Sequence, residues 1–231
     1  SFFKDVESFD GLIQGICPQS PYLSKVEELR PRCDSFLTGA QNISSEVKGA
    51  YTGEISTKSL IDFSVKFTLV GHSERRQLFN ESDSSMIKKI SRAMEDGLGV
   101  VYCVGETLEQ REANQVKQVL FEQLNNVLPA VKGLNQNLLC IAYEPVWAIG
   151  TGKTASANQA VEAHKIIGGI ISESLSEEFS STPILYGGSV KPSNAQELLE
   201  NTEISGALIG GASLSASDFN EISRIASNIQ A

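Results

Sequence analysis

The sequence is short of basic residues and has no long hydrophobic segment. Nineteen Lys and Arg residues stand against 28 Asp and Glu residues, which leaves a net charge of −9. This balance argues against a surface for nucleic acid or anionic membranes, because both need a basic patch. No apolar run approaches the roughly 18 residues of a membrane span. We therefore expect no nucleic acid and no membrane among the partners, and any anionic substrate needs a local positive site.

Cysteine and histidine are also scarce. The four cysteines are scattered without a Cys-x-x-Cys pair, and two of them lie within apolar runs, as buried free thiols do. This usage predicts a reduced, cytoplasmic protein. The two histidines, His72 and His164, are so placed that they and the cysteines match no zinc-ligand spacing, so no metal site is expected.

Short apolar runs alternate with longer segments of helical period along the whole chain. The runs are continuously hydrophobic, which is typical of parallel strands that are covered on both faces. Gly97 suits a helix C-terminus, and Ser156 and Ser215 suit helix N-caps. The predicted strands are 12–17, 35–40, 66–70, 98–104, 138–143, 183–187 and 206–210, and the helices with recognisable ends are 84–96, 157–175 and 216–229.

This repetition predicts an α/β fold with right-handed crossovers and a parallel sheet. The sheet could close into an eight-stranded barrel or stay open and doubly wound. A dinucleotide-binding sheet shows G-x-G-x-x-G after its first strand, whereas residues 16–21 read Ile-Cys-Pro-Gln-Ser-Pro. The pattern therefore favours a (βα)₈ barrel, with residues 1–231 as a single domain.

The chain opens on a helix-like segment with Phe2, Phe3, Val6 and Phe9, whereas a (βα)₈ barrel begins with a strand. We expect the first strand to lie upstream of Ser1. A genuine incomplete barrel is the alternative, although its gap would expose two sheet edges to aggregation.

Polar and glycine-rich segments follow several strands, at the end of a barrel where active sites lie. They include GHSERR at 71–76, YEPVWAIGTGKT at 143–154, YGGSV at 186–190 and GGASL at 210–214. Together with GAQN at 39–42 and GAYTGEIS at 49–56, they closely resemble the triosephosphate isomerase family, in the family's order over residues 11–231. The resemblance implies a TIM barrel. It also implies an isomerase of glycolysis and gluconeogenesis that interconverts dihydroxyacetone phosphate and glyceraldehyde 3-phosphate without a cofactor.

His72 ends an apolar strand immediately before a polar segment able to start a helix. A helix N-terminus disfavours imidazolium, so a neutral ring there can donate a hydrogen bond to a carbonyl. The resemblance implies that His72 is the electrophile that polarises the substrate carbonyl. His164 lies in the middle of a predicted helix and is interpreted as structural.

Glu144 follows the apolar run 138–143 and precedes Pro145. A carboxylate at a buried strand end is costly unless it has a partner, which favours a functional role over a loop-capping one. The resemblance implies that Glu144 is the general base that moves a proton between neighbouring carbons. It also implies that Glu74 helps to orient the catalytic groups.

Phosphate binding is expected at several glycine-rich loops. The Gly-Lys-Thr at 152–154 is no P-loop, because Trp147 stands where that motif needs glycine. Ser189 and the main-chain N–H groups after the last two strands, including Gly210 and Gly211, fit a phosphate cradle. The resemblance adds Gly150, on a lid at 145–153 that has an apolar tip.

Residues 42–56 form a connection longer than most βα loops. Its resemblance to the family's interdigitating loop implies a homodimer, and a mobile lid within a monomer is the alternative.

The family's Asn and Lys of the first strand have no match in residues 1–11. Two further functions stay open: a Schiff-base aldolase, which would need a lysine at a strand end, and an inactive or impaired barrel if the chain truly starts at Ser1.

Overall fold

The chain builds one curled sheet of seven parallel strands. A computed structural model describes residues 2–149, 154–175 and 177–230. Each strand pairs in parallel with the next along the chain, and no pairing between described residues joins the last strand to the first. The strands are β1 (Gln14–Ile16), β2 (Phe36–Ala40), β3 (Phe67–Val70), β4 (Gly99–Val104), β5 (Leu139–Tyr143), β6 (Ile184–Tyr186) and β7 (Gly206–Ala207). All seven lie within the predicted ranges.

Helices follow the strands and cover the outer face of the sheet. They are α1 (Phe2–Asp5), α2 (Leu23–Leu29), α3 (Thr57–Asp62), α4 (Ser73–Leu78), α5 (Asp83–Glu95), α6 (Leu108–Glu112), α7 (Val116–Val127), α8 (Ala157–Ser174), α9 (Pro192–Leu199) and α10 (Ala216–Gln230). Short 3₁₀ turns include Val146–Ala148 and Gly211–Leu214. In the described part of the chain, no helix combines the length and apolar character needed to cross a membrane.

The helix ends follow the predicted signals. The Ser156 hydroxyl accepts a hydrogen bond from the main-chain N–H of Gln159, and the Gln159 side chain accepts one from the N–H of Ser156. This reciprocal cap satisfies two N–H groups that the first turn of α8 leaves free. Gly97, with φ of +82°, ends α5 in a left-handed conformation that suits glycine.

Alternate residues of the strands enter two hydrophobic clusters. On β4, Val100, Tyr102 and Val104 belong to the large cluster between the sheet and the helices. Val101 and Cys103 belong instead to a small cluster with Leu69 and Ala142 on the inner face. Both faces of the strand are therefore buried, which explains why its sequence is continuously hydrophobic.

Candidate active site

His72 stands between β3 and α4, where it caps the helix. It follows Gly71, whose φ of +76° turns the chain out of the strand in a conformation that favours glycine. The ring atom Nδ1 accepts a hydrogen bond from the main-chain N–H of Glu74 at 3.3 Å. Because Nδ1 is an acceptor, the proton of a neutral ring lies on Nε2, which can donate it to a neighbour.

Glu144 follows β5 directly, and its side chain is only 2% exposed. Its Oε2 accepts a hydrogen bond from the main-chain N–H of Ser73 at 2.8 Å, and Oε1 lies 3.3 Å from the Ser73 hydroxyl. The carboxylate is thus held at the first turn of α4, where the free N–H groups of a helix stabilise negative charge. These contacts compensate for the burial of the charge.

The structure brings the two predicted catalytic residues together. His72 Nε2 lies 3.0 Å from Glu144 Oε1. Burial lowers the pKa of His72, but the hydrogen bond and charge of Glu144 raise it, and the net shift is upward from the ordinary value. The helix N-terminus therefore does not alone decide the charge of the ring, because the carboxylate beside Nε2 opposes it.

The segment with Ser189 adjoins the same carboxylate. The main-chain N–H of Gly187 donates to the Tyr143 carbonyl at 2.7 Å, and a Cβ at Gly187 would lie 3.1 Å from Glu144 Cγ. The carbonyl of Ser189 accepts a hydrogen bond from the side chain of Asn194 at 3.0 Å, which ties this turn to α9. Ser189 is two residues beyond Gly187 at the mouth of the sheet.

Gly210 and Gly211 follow the neighbouring strand, β7. Both are exposed, and a Cβ at either position would meet no atom within 4 Å. Their main chain begins the 3₁₀ turn Gly211–Leu214, and Ser213 closes that turn on the carbonyl of Gly210. An anion could therefore approach these main-chain groups. Gly150, the other predicted phosphate-binding glycine, lies outside the described residues, as does the lid over 150–153.

Glu74 contacts His72 through its main-chain N–H, and its carboxylate lies farther from the ring. Its side chain is 68% exposed, and its Oε2 lies 3.9 Å from His72 Nδ1, beyond hydrogen-bonding distance. The next residue, Arg75, pairs with the buried carboxylate of Glu81 at 3.2 Å. Arg75 therefore forms an ion pair within the chain.

A second buried carboxylate lies behind the start of the lid. Glu106 is fully buried and accepts hydrogen bonds from Arg111 at 2.7 Å, Trp147 Nε1 at 2.9 Å and the Tyr143 hydroxyl at 3.0 Å. The Arg111 guanidinium also lies 5.4 Å from the centre of the Trp147 ring. These contacts fix the 3₁₀ turn Val146–Ala148, which follows Glu144.

Two features of this site are absent from the sequence prediction. The first is Ser73, which holds Glu144. The sequence indicates it only weakly, as a hydroxyl residue that follows His72 at the predicted start of a helix. Arg111 lies on a helix with ordinary surface character, and its pairing with Glu106 depends on how α6 packs.

The described residues contain no group of three or more His, Cys, Asp or Glu side chains arranged to hold a metal ion. All four cysteines are free thiols. At the mouth of the sheet, Glu144 and His72 lie together as a carboxylate and an imidazole, two groups that are capable of acid–base chemistry.

Comparison with known proteins agrees with this geometry. A sequence model described as triosephosphate isomerase matches residues 4–226. A triosephosphate isomerase of Xanthomonas campestris pv. campestris (strain 8004) is 48% identical over 212 residues, which cover 91% of this chain and 84% of the relative.

Two further relatives have the same name. The protein of Magnetococcus marinus is 48% identical over 88% of this chain and 81% of its own length, and that of Herminiimonas arsenicoxydans is 45% identical over 91% and 85%. With the curled parallel sheet, these matches confirm the predicted α/β TIM-barrel fold and the isomerase class. The chain belongs to the triosephosphate isomerase family.

Proposed function

We propose that this chain interconverts dihydroxyacetone phosphate and D-glyceraldehyde 3-phosphate through an enediolate, with Glu144 as the general base and His72 as the proton donor. The observation that carries the proposal is the 3.0 Å contact between Glu144 Oε1 and His72 Nε2 at the carboxyl ends of two strands. The reaction moves one proton between neighbouring carbons and another between their oxygens. One base and one donor at a shared site are sufficient for it.

Glu144 takes the proton from the carbon next to the carbonyl. Both of its oxygens are engaged by Ser73 and His72 in the structure. The carboxylate must therefore turn from Ser73 towards the substrate before it reacts, and the main-chain hydrogen bond from Ser73 is lost in that step. A positioned base of this kind contributes on the order of 10²–10⁴-fold to the rate.

His72 donates from Nε2 to the substrate oxygen. The Glu74 N–H at Nδ1 directs the ring proton to Nε2. When Glu144 turns away, the ring loses the carboxylate that raises its pKa, and the neutral form is then favoured. A neutral histidine paired with a glutamate base is already the known arrangement in triosephosphate isomerase, so the pairing itself is not a new idea.

Phosphate recognition is assigned to Ser189 with the main-chain N–H groups of Gly210 and Gly211, and to Gly150 on the lid. In a chain of net charge −9, the partial positive charges of these N–H groups supply the local positive site that an anionic substrate needs. Main-chain N–H groups at a turn bind phosphate oxygens without a charged side chain. The Glu106 contacts of Trp147 anchor the first part of the lid, which we expect to exclude water when it closes.

We further propose a cytoplasmic homodimer that associates through loop 42–56. Tyr51 and Val47 of this loop are 49% and 38% exposed, and large apolar side chains on a loop are typical of an interface. Its ends are anchored on the chain itself, since the Ser44 N–H donates to the Ile55 carbonyl at 2.8 Å. This hydrogen bond joins the two ends of the loop, and Val47 and Tyr51 lie between them.

An aldolase is disfavoured by the lysines that the structure describes. Among the described residues Lys89 is the buried lysine, and its ammonium lies on α5 between Glu81 and the Asn42 side chain. Lys89 therefore lies within a helix, whereas a Schiff-base aldolase would need its lysine at a strand end.

A coupled assay in both directions tests the proposed reaction. Turnover of glyceraldehyde 3-phosphate and of dihydroxyacetone phosphate is expected, without added metal or cofactor. Borohydride treatment with dihydroxyacetone phosphate should trap no covalent adduct. A trapped adduct would identify an aldolase, and a folded chain without turnover would identify an inactive barrel.

A further inference from the structure

The main chain of Glu144 rests against Gly105, the residue after β4. A Cβ at position 105 would lie 1.7 Å from the carbonyl oxygen of Glu144, so the two peptides can be this close only because residue 105 is glycine. Two hydrogen bonds flank the contact: Glu144 N–H to the Val104 carbonyl at 2.7 Å, and Val146 N–H to the Glu106 carbonyl at 3.1 Å. The position of segment 104–106 therefore sets the position of Glu144.

A single side chain on α7 binds both main-chain polar groups of Gly105. Gln123 Nε2 donates to the Gly105 carbonyl at 2.9 Å, and the Gly105 N–H donates to Gln123 Oε1 at 2.8 Å. Both lengths are those of good hydrogen bonds. The pairing of β4 with β3 ends at Tyr102, and its pairing with β5 ends at Val104. At Gly105 the Gln123 amide therefore supplies the hydrogen bonds that a neighbouring strand would otherwise make.

Gln123 is itself held in place, and the hydrogen bonds continue towards His72. The Tyr102 hydroxyl donates to the Gln123 carbonyl at 2.8 Å, and Arg76 Nη2 donates to that hydroxyl at 3.1 Å. Arg76 Nε also donates to the carbonyl of Gly71 at 2.8 Å. A partly buried network of hydrogen bonds thus runs from Gly71, next to His72, to Gly105, against which the main chain of Glu144 rests.

We propose that Gln123 is a positioning residue for Glu144. The side-chain amide of Gln123 holds Gly105, and Gly105 in turn fixes the main chain that carries the catalytic carboxylate. This inference rests on the proposed function, because it assigns Gln123 to the geometry of the isomerisation step. In this proposal Gln123 is not a substrate-binding residue. It acts through the Gly105 contact.

The chemistry of the amide explains why glutamine occupies this position. It has one donor and one acceptor side by side, which match the carbonyl and N–H of one residue. Methionine has nearly the same shape as glutamine but has neither the N–H donor nor the carbonyl acceptor. Glutamate keeps the acceptor for Gly105 N–H but, when ionised, places negative charge beside the Gly105 carbonyl.

The test compares Gln123→Met with Gln118→Met. Gln118 is an exposed glutamine of the same helix, and its side chain donates a hydrogen bond to Glu122 on the surface. A shift of about 1 Å in a reacting group costs on the order of 100-fold, so a partial shift of Glu144 should lower kcat roughly 10-fold or more. The KM for glyceraldehyde 3-phosphate and inhibition by inorganic phosphate should stay near the wild-type values. Gln118→Met should retain the wild-type kcat.

A double variant separates positioning from a general structural role. In a Glu144→Gln background the carboxylate is already gone, so Gln123→Met should lower the residual rate no further. A kcat for Gln123→Met equal to that of Gln118→Met would overturn the proposal. The same loss from Gln123→Met with and without Glu144 would overturn it as well.

An NMR titration of His72 distinguishes failure of this proposal from failure of the proposed function. Displacement of Glu144 in Gln123→Met should lower the pKa of His72 towards its ordinary value, whether or not the wild-type chain turns over triose phosphate. An unchanged His72 titration would count against the positioning role alone. Should Gln123→Met not fold, Gln123→Glu keeps the side-chain length and one hydrogen bond and is judged by the same outcomes.

Discussion

The main-chain N–H of Ser73 donates a hydrogen bond to Glu144 Oε2 over 2.8 Å, in a part of the molecule closed to solvent. This bond holds the proposed base against the first turn of α4, beside the ring with which it is to work. In the proposed mechanism the carboxylate leaves Ser73 before it reacts, so substrate binding has to supply a better partner. The proposed resting and reacting sites therefore differ in the position of one side chain.

The two histidines should titrate in opposite directions from the ordinary value of about 6.5. Burial lowers the pKa of His164, whereas Glu144 raises that of His72 above the opposing effect of burial. The stability that His72 contributes is therefore present below its unfolded pKa and lost as pH rises through its folded pKa. NMR of the ring protons should show His72 titrating at higher pH than His164.

Glu144→Gln is the control for this titration. The amide has no charge, so the pKa of His72 should fall while that of His164 stays unchanged. A His72 pKa at or below that of His164 in the wild-type chain would show that the carboxylate does not control the ring.

The ion pair between Arg111 and Glu106 should matter for stability. Glu106 is fully buried, and the Arg111 side chain is 14% exposed. Arg111→Met leaves a buried carboxylate without its cation, which costs about 3–5 kcal/mol. Urea unfolding measures this loss. Lys25→Met, which breaks an exposed pair with Glu28, should leave the midpoint nearly unchanged, and equal effects of the two variants would refute the argument.

Ser189→Ala should weaken binding of the phosphate group. The loss of one hydrogen bond to a charged group costs about 1.5–3 kcal/mol, or roughly 10–100-fold in kcat/KM. We expect most of this effect in KM and in inhibition by inorganic phosphate. Ser193→Ala, an exposed position on α9, provides the control. A Ser189→Ala enzyme with wild-type phosphate inhibition would exclude Ser189 from the cradle.

Association through loop 42–56 should depend on Tyr51. A charge at this half-exposed position would be buried without a partner in an interface, so Tyr51→Asp should give a monomer in sedimentation velocity at micromolar concentration. Tyr22→Asp changes a similarly exposed tyrosine outside the loop and should leave the dimer intact. A monomeric wild-type chain would favour the alternative of a mobile lid.

The sequence was sufficient to predict features that depend on residues close together along the chain. All seven strands were predicted because each lies in a short, mostly apolar segment between turn residues, and the Ser156 cap was predicted from its own hydroxyl. The juxtaposition of His72 with Glu144 was expected because both residues end parallel strands. Their residue-level roles stay predictions.

Features that depend on packing were not visible. The amide of Gln123 sits in an amphipathic helix and looks like any other polar residue until α7 packs against β4. The closeness of Gly105 to Glu144 likewise follows from how tightly two strands approach, which no spacing along the chain records. The upward shift of the His72 pKa was missed for the same reason, since it depends on the distance to Glu144.

The central claim is that Glu144 and His72 act together on one substrate, and steady-state kinetics with glyceraldehyde 3-phosphate tests it most directly. Glu144→Gln and His72→Gln should each lower kcat by about 10²–10⁴-fold, and the double variant should lose little more than the worse single one, because the two groups serve one step. Glu200→Gln, on the outer surface, should have the wild-type kcat. Full wild-type kcat in either Glu144→Gln or His72→Gln would contradict the account.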